Sequence, residues 1–349
     1  MRAIVQTRYG TPEVLELTDV EVPVIGDDGV LVRVCASSVN AQDWHLVRGR
    51  PYFARLMTGF RRPRRAVPGA DVAGIVEVVG STVTELRPGD EVFGACVGAF
   101  AGYVAGSARN FVRKPSNVSF QQAAAIAVAG ATALQALRDK GQIRSGHHAL
   151  ILGAGGGVGS FAVQLAKAFG AEVTAATGTR NLQMVGSIGA DHIVDYTRGD
   201  ATRTGQRFDV VLDIGGYQPL TDLGRVLAHG GRCVLVGAGR GSLYRIAARA
   251  VGAKLRSRLR GQRMSFFFAR VSHDDLLVLA DLAAAGTIAP AIDRTYPLSK
   301  AAEAIRYVES GRVAGKVVIG GSLAATALEL AGATPWGCEG TRWKTWQCR

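Results

Sequence analysis

The stretch from residue 148 to residue 176 constrains the fold of this chain more than any other. A short apolar run, HALIL (148–152), leads into a glycine turn, GAGGGVG (153–159), and the segment after it (160–170) has apolar residues at helical spacing. A second apolar run, EVTAA (172–176), follows a crossover long enough to join two parallel strands. Strand, turn, helix and strand in this order predict a nucleotide-binding unit.

The same alternation continues towards the C-terminus. HIVDY (192–196), DVVLD (209–213) and RCVLVG (232–237) are further apolar runs of strand length, and helical segments separate them. Apolar strands between helices indicate a parallel sheet that is covered on both faces. The predicted fold class is therefore α/β, with a doubly wound parallel sheet.

The glycine turn departs from the strict dinucleotide fingerprint because alanine stands in the first glycine position. Aligned on its helix end, the turn reads Ala154-x-Gly156-x-x-Gly159. Main-chain N–H groups at a helix start attract a pyrophosphate, and glycines let the backbone approach it closely. We expect the cofactor to contact Ala154, Gly156, Gly157, Val158 and Gly159.

The end of the second strand bears on which nicotinamide cofactor is used. A site for NAD usually places an acid about 20 residues after the turn. The segment ATGTRN (176–181) has no acid but contains Thr177, Thr179 and Arg180. A cation and hydroxyl groups suit a 2′-phosphate, so NADPH is predicted. The alternative is that Arg180 simply opens the next helix on the surface.

The first 120 residues have a different texture. Runs with period two, such as VLVRVC (30–35) and VAGIVEVVG (72–80), are separated by turn signals and predict an antiparallel β-rich domain. We expect this domain to cover residues 1–122 and to be completed by 290–321. Residues 123–289 would form the nucleotide-binding domain, and 322–349 an irregular tail.

Bulk properties fit an intracellular globular protein. The chain has 349 residues, enough for about two domains, and 48% of them are hydrophobic. The five cysteines are scattered and form no CxxC pair, which favours a reducing compartment. No uninterrupted apolar run approaches the roughly 18 residues of a membrane span. We expect a cytoplasmic protein.

The net charge of +13 is concentrated in two basic runs, 48–65 and 240–263. Neither run carries an RNA-binding signature, so a nucleic-acid partner is disfavoured. A solvated basic face, or a guide for an anionic ligand, fits better. The first run also contains aromatic residues, and it could cover a substrate, steer an anionic one or touch a membrane surface.

Taken together, the motifs resemble a known family. The segments MRAIVQTRYG, VPGADVAGIVEVVG, RPGDEVFG, GAGGGVGSFAVQLAKAFGAEV, IGADHIVDY and GKVVI occur in the order seen in the medium-chain dehydrogenase/reductase superfamily. The chain is most similar to its zinc-free quinone oxidoreductase and enone reductase branch, over residues 1–321. The resemblance implies a GroES-like β domain packed on a Rossmann domain, with the active site between them. We also expect a homodimer.

The resemblance also argues against a metal. Zinc alcohol dehydrogenases of the superfamily have a cysteine ligand where this chain has Asn40, and a histidine ligand where it has Ala70. Cys35, Asp43 and His45 lie close together in sequence, but a catalytic zinc needs three ligands and Cys35 has the parity of a half-buried strand residue. Asp43 resembles a residue that anchors the same loop in the family, and we interpret it as structural. His45 could relay protons, but an exposed position on a helix surface fits it better.

Without zinc, the resemblance implies hydride transfer to a quinone or an α,β-unsaturated carbonyl. Asn40 would lie beside the nicotinamide, although asparagine also serves simply as a turn residue. Tyr52 would donate a hydrogen bond to the substrate, or act only as a core or lid aromatic. Further cofactor contacts carried over by position are Thr132, Tyr196, Gly237 and Phe267. The phenylalanines 266–268 could equally pack at a dimer interface.

Two other functions stay open at the level of sequence. One is an alcohol dehydrogenase with an atypical metal. The other is a protein that uses NADPH to gate contacts with nucleic acid or a partner, and its only support is the charge.

Overall fold

The computed structural model describes residues 1–50, 52, 55–64, 66–236, 248–249, 251–253, 255, 257 and 263–320. The expected tail (322–349) and the expected cofactor contact Gly237 lie outside the described residues.

The N-terminal part of the chain is rich in β-strands. Its elements are β1 (Arg2–Gln6), β2 (Leu15–Asp19), β3 (Gly29–Val39), α1 (Ala41–Arg48), α2 (Arg55–Thr58), β4 (Asp71–Val79), β5 (Glu91–Ala95), β6 (Tyr103–Ser107) and β7 (Phe111–Arg113). Along β3, Val30, Val32 and Val34 are buried and the residues between them are half-buried, because side chains of a strand alternate between its faces. The prediction that Cys35 is a half-buried strand residue is confirmed.

The middle of the chain forms the parallel sheet. Its elements are α3 (Phe120–Gln135), β8 (His148–Leu152), α4 (Gly157–Ala168), β9 (Glu172–Thr177), α5 (Leu182–Ser187), β10 (His192–Asp195), β11 (Phe208–Asp213), α6 (Leu220–Val226), β12 (Leu227–Leu235), β13 (Arg263–Phe266) and α7 (His273–Ala284). Within the described residues, six parallel strands lie in the order β10-β9-β8-β11-β12-β13. The order reverses between β8 and β11, which opens a ligand crevice at their carboxyl ends. The predicted doubly wound sheet is confirmed.

The chain then returns to the β-rich sheet. It adds β14 (Ile292–Tyr296), α8 (Ala301–Glu309) and β15 (Lys316–Gly320). β15 pairs antiparallel with β3, but β14 pairs parallel with β15. The expected antiparallel sheet is confirmed, with one parallel pair at this edge, because α8 forms a crossover between the two strands and a crossover joins parallel neighbours.

One apolar core connects the two sheets through α3. Phe93 of β5, Ile126 and Leu134 of α3, and Ile151 of β8 are all fully buried within it. The helical stretch Phe120–Gly141 is long and apolar enough to cross a membrane, which the sequence pattern did not indicate. However, 67% of its most apolar 18 residues are buried inside the protein, as in a core helix.

Candidate active site

A cleft of about 360 Å³ lies at the carboxyl edge of the parallel sheet. The glycine turn and the ends of β9 and β11 line one wall. The end of β3, the start of α1 and residues 308–317 line the other wall. The cleft therefore joins the predicted cofactor site to the β-rich part of the protein.

The glycine turn presents its backbone to this cleft. Gly156, Gly157 and Val158 line the cleft, whereas Ala154 is fully buried. Helix α4 starts here with Gly156 as its N-cap. Its first N–H groups have no carbonyl partner within the helix and carry the positive end of the helix dipole. This arrangement suits a pyrophosphate.

Gly159 shows why the turn needs glycine. A Cβ atom added to Gly159 would lie 2.1 Å from the carbonyl oxygen of Gly153 and 2.7 Å from Cα of Ala154. Both neighbours are backbone atoms that cannot rotate away. Gly159 therefore acts through close packing of turn on helix, beneath the surface that a cofactor would touch.

The turn is also hydrogen-bonded to the β-rich part. The N–H of Gly315 donates to the carbonyl of Gly155 at 2.8 Å. Lys316, the residue after Gly315, lies against Gly157: a Cβ added to Gly157 would be 2.8 Å from Cδ of the lysine. The missing side chain at Gly157 thus makes room for the lysine to pass behind the turn and reach Asn40.

Asn40 is fixed by a buried ion pair. The ammonium of Lys316 donates to Asn40 Oδ1 at 2.7 Å and to Asp71 Oδ2 at 3.1 Å, and Nδ2 of Asn40 donates to the same Asp71 oxygen at 2.9 Å. The side chains of Lys316 and Asp71 are only 2% and 0% exposed. Because Lys316 occupies Oδ1, the orientation of the carboxamide is set. Its second N–H has no partner among the described residues, and Asn40 lines the cleft.

Asp71 is held from other directions as well. The Ser38 hydroxyl donates to Oδ2 at 2.5 Å, and the backbone N–H of Val128 in α3 donates to Oδ1 at 2.8 Å. A buried carboxylate with several donors and an ammonium satisfies the requirements for burying charge. The network thereby ties β3, β4, β15 and α3 together under the cleft.

Asp43 anchors the loop that carries Asn40, as expected. Its Oδ2 accepts a hydrogen bond from the backbone N–H of Asn40 at 2.7 Å. Burial raises the pKa of the Asp43 carboxyl to about 7, although the hydrogen bond from Asn40 opposes this shift. The nearby charge of Asp71 raises the pKa further.

Two of the residues predicted to bind near the 2′-phosphate lie at the outer end of the cleft. Thr177 and Tyr196 both line the cleft, and a Cβ on Gly178 would lie 2.9 Å from the Tyr196 hydroxyl. Arg180 is exposed and lies within hydrogen-bond reach of the Tyr307 hydroxyl on α8. Arg180 itself lies in the turn 179–181 that directly precedes α5, and it is not among the residues that line the cleft.

An acid does stand near this end of the cleft, although the segment 176–181 has none. Asp195, at the end of β10, accepts a hydrogen bond from the Thr179 hydroxyl at 2.7 Å. Side-chain hydrogen bonds from Thr179 and Thr197 hold its pKa below the usual range. Parallel pairing of β10 with β9 produces this neighbour, which reading along the sequence could not.

Besides Ala154, Gly159 and Arg180, three further predicted site residues do not line the cleft. Tyr52 is 63% exposed and lines a separate pocket. Thr132 is buried one helical turn beyond the cleft residue Ala129, and its hydroxyl donates to the Val128 carbonyl at 2.6 Å. Phe267 is buried in the core instead of facing a cofactor. These three side chains therefore lie outside the lining of this cleft, and their contacts with cofactor or substrate stay predictions.

His45 is not the surface residue that the sequence suggested. It lines the cleft and stacks on Trp44, with 3.5 Å between ring centroids. Burial lowers the pKa of its imidazole. The short helix α1 turns His45 inwards because residues four apart lie on one helix face, and Ala41 also lines the cleft.

The side chains do not fit a catalytic zinc. No group of three histidine, cysteine or acidic residues comes together anywhere in the described part of the chain. Asn40 and Asp71 already contact the buried ammonium of Lys316. A divalent cation at this place would meet a like charge, and zinc sites require three protein ligands.

Two residues of the network around Asn40 were not predicted from the sequence as site residues. Lys316 and Asp71 lie in the quoted motifs GKVVI and VPGADVAGIVEVVG, where they look like ordinary strand ends. A charged residue inside an otherwise apolar strand was the available signal, because an unpaired charge is rarely buried. Only the pairing of β15 with β3 and of β3 with β4 brings them to Asn40.

Comparisons with known proteins agree with this architecture. Residues 26–120 match the alcohol dehydrogenase GroES-like domain family, and residues 188–319 match the zinc-binding dehydrogenase family. The chain is 36% identical to 2-methylene-furan-3-one reductase of Solanum lycopersicum, over 91% of this chain and 79% of that protein. It is 33% identical to the chloroplastic NADPH-dependent alkenal/one oxidoreductase of Arabidopsis thaliana, with the same coverage.

A solved structure points the same way. The quinone oxidoreductase of Coxiella burnetii superposes with a TM-score of 0.82 at 28% identity, covering 92% of this chain and 99% of that one. The glycine turn, the sheet order and these likenesses lead to one assignment: the chain belongs to the medium-chain dehydrogenase/reductase superfamily, in its quinone oxidoreductase branch, and is an oxidoreductase.

Proposed function

We propose that this protein is a zinc-independent, NADPH-dependent reductase of quinones or α,β-unsaturated carbonyls. The observation that carries the proposal is the Asn40 carboxamide, which a buried lysine fixes at the cleft and which keeps one N–H without a partner among the described residues. The names of the relatives support the acceptor class.

The residues present fit a dinucleotide. Gly156, Gly157 and Val158 offer main-chain groups to a pyrophosphate, and Thr177 and Tyr196 line the outer end. Arg180 supplies a cation for a 2′-phosphate, in line with the NADPH-dependent relative. Reduced nicotinamide, when bound, supplies the hydride that the acceptor receives.

Asn40 has the chemistry to hold the acceptor oxygen. Its unassigned N–H can donate to a carbonyl, and the donation strengthens as that oxygen becomes negative. The Lys316 ammonium lies 2.7 Å from the other end of the same carboxamide. The Lys316–Asp71 ion pair holds the carboxamide at Oδ1 and at one N–H, so the other N–H is fixed in place to donate to a developing enolate or hydroquinone anion without any metal. Removing one such donor typically slows a reaction about 10²- to 10³-fold.

Water supplies the final proton in this proposal. Burial lowers the pKa of His45, so its imidazole is neutral near pH 7 and is a weak acid. Tyr52 receives no role as donor because it lies outside the cleft. Asp43 is buried beneath the loop and does not line the cleft.

We also infer a homodimer, and we keep the cytoplasm as the expected compartment. Phe268 is 79% exposed next to the outer strand β13, and a second copy of the chain would cover such an aromatic. Light scattering should give twice the mass of one chain. Phe268→Asp should shift the mass towards that of the monomer.

Steady-state assays test the activity. Purified protein should oxidise NADPH in the presence of enones or quinones, followed at the nicotinamide absorbance. Asn40→Ala should lower kcat about 10²-fold. The matched control is Asn117→Ala, which removes an exposed asparagine, outside the cleft, whose Nδ2 donates to the Ala284 carbonyl. Absence of NADPH oxidation with every acceptor would contradict the proposal, and stoichiometric zinc in active protein would contradict its metal-free form.

A further inference from the structure

A second pocket lies beside the cleft and is lined mainly by arginine and tyrosine. It has a volume of about 230 Å³, and its walls include Tyr9, Thr11, Arg48, Arg50, Tyr52 and Arg55. None of the lining residues in the described part of the chain is acidic. Such a pocket has the size of a small charged group and not of a whole substrate.

Arg55 is built rigidly into this pocket. Its guanidinium lies between two aromatic rings, 4.3 Å from the Tyr9 centroid and 4.9 Å from that of Tyr52. Its Nε donates to the carbonyl of Gly49 at 3.0 Å, at the C-terminal end of α1. Its Nη2 also donates to the carbonyl of Arg48 at 3.4 Å, so the edge of the planar guanidinium that contains Nη1 is left available for an anion.

The charges of the pocket are not balanced. Arg48 pairs with Glu309, whose Oε2 accepts a hydrogen bond from Arg48 Nη2 at 2.9 Å. Arg50 lies over the Tyr52 ring and pairs with no acid in the described residues. Glu13, the next acid along the rim, is paired with Arg306. Arg50 and Arg55 therefore leave about two positive charges facing the pocket.

The pocket adjoins the cleft through one ion pair. Arg48 lines the pocket, and its partner Glu309 lines the cleft. A ligand that occupied both spaces would pass over this pair. The reactive part of such a ligand would lie near Asn40, and its charged end would lie between the arginines.

We propose that Arg50 and Arg55 bind the anionic group, a carboxylate or a phosphate ester, of an acceptor whose reactive carbonyl occupies the cleft. The proposal rests on the proposed function for the reactive end. The anion site itself depends only on the pocket. Of the roles that the sequence left open for the basic run 48–65, the proposal selects the binding of an anionic substrate.

Calorimetry with inorganic phosphate and pyrophosphate, without NADPH, tests the anion site directly. Arg50→Gln and Arg55→Gln should each raise the Kd at least about five-fold, because a charge-assisted hydrogen bond is worth more than 1 kcal/mol. The control Arg62→Gln removes an exposed arginine of the same run that does not line the pocket. Equal Kd values for Arg50→Gln and Arg62→Gln would overturn the proposal. Arg50 is exposed, so its variant should fold even if Arg55→Gln does not.

Kinetics test whether the anion belongs to the acceptor. An enone whose alkyl chain ends in a carboxylate is compared with its methyl ester. The wild type should prefer the acid at least about five-fold in kcat/KM, and Arg50→Gln should abolish the preference while Arg62→Gln retains it. An unchanged preference in Arg50→Gln would overturn the proposal. If neither compound is reduced by the wild type, the proposed function fails, whereas phosphate binding still decides the anion site.

Discussion

The Nζ atom of Lys316 lies 2.7 Å from Oδ1 of Asn40. The two residues are 276 positions apart, yet they form one unit with Asp71 below the cleft. All three residues are largely buried, although Asn40 also lines the cleft. Its parts therefore depend strongly on one another.

Replacing Lys316 with methionine should destabilise the protein by about 3–5 kcal/mol, because Asp71 would remain as a buried charge without its cation. Urea unfolding measures this change. Lys167→Met breaks a half-exposed pair with Asp191 and should cost less than about 1 kcal/mol. The double variant Lys316→Met/Asp71→Asn should recover part of the loss. No recovery would show that the two side chains do not act as a pair.

Stability should depend on pH through Asp43. The folded-state pKa is raised from 3.8 to about 7, so the unfolded chain releases this proton first. The free energy of unfolding therefore falls as the pH rises from about 4 to about 7, by about 1.4 kcal/mol per unit. Asp43→Asn keeps an acceptor for the Asn40 N–H and has no such proton.

Urea unfolding at pH 5 and pH 8 measures this effect. Between pH 5 and pH 8, the free energy of unfolding of the wild type should fall by on the order of 2 kcal/mol more than that of Asp43→Asn. Asp213, whose pKa burial raises to about 6, shifts stability in the same direction. It is present in both proteins, so its contribution cancels in the difference. A difference between wild type and variant that stays constant with pH would contradict the assignment.

Two glycines of the turn should respond differently to alanine. Gly159→Ala places a Cβ 2.1 Å from a backbone oxygen and should lower the free energy of unfolding by about 3 kcal/mol or more. At Gly156 the nearest atom would be 3.7 Å away, so Gly156→Ala should fold normally. That methyl group would project into the cleft and weaken NADPH binding. Thermal melts and NADPH fluorescence titration separate the two effects. Normal NADPH binding by Gly156→Ala would argue against a pyrophosphate at the turn.

The preference for NADPH should depend on Arg180. Arg180→Ala should raise the KM for NADPH about ten-fold or more and leave the KM for NADH nearly unchanged, because only NADPH carries the 2′-phosphate. Arg203→Ala, which removes an exposed arginine that pairs with Asp200, is the matched control. Equal changes in both KM values would mean that Arg180 acts on the position of α8, through Tyr307, instead of on the phosphate.

Those parts of the fold that depend on patterns within a short segment could be predicted from the sequence. Alternating apolar strands and helices predicted the parallel sheet, and the glycine turn located its ligand edge. Helix α6 ends at Val226, because the next residue, Leu227, already pairs with Phe208 in the sheet. Tertiary pairing overrides the local pattern there.

The site was predicted less completely because it is assembled from distant strands. Asn40 and the glycine turn were identified, whereas Lys316 and Asp71 were not. Tyr52 was placed at the substrate by its position in the motif, but α1 and α2 fold so that it stacks on Arg55 instead. His45 was assigned to the surface of a helix, and only the packing of α1 shows that it lines the cleft.

The hydrogen bond from Gly315 to Gly155 joins two segments that leave the ribosome far apart in time during translation. The parallel sheet is inserted between β7 and β14, so the β-rich sheet gains its last strands only when nearly the whole described chain has left the ribosome. Lys316 emerges with the final strand. Until then Asp71 lacks its cation and the glycine turn lacks its neighbour. The cleft is therefore among the last features of the described part of the molecule to form.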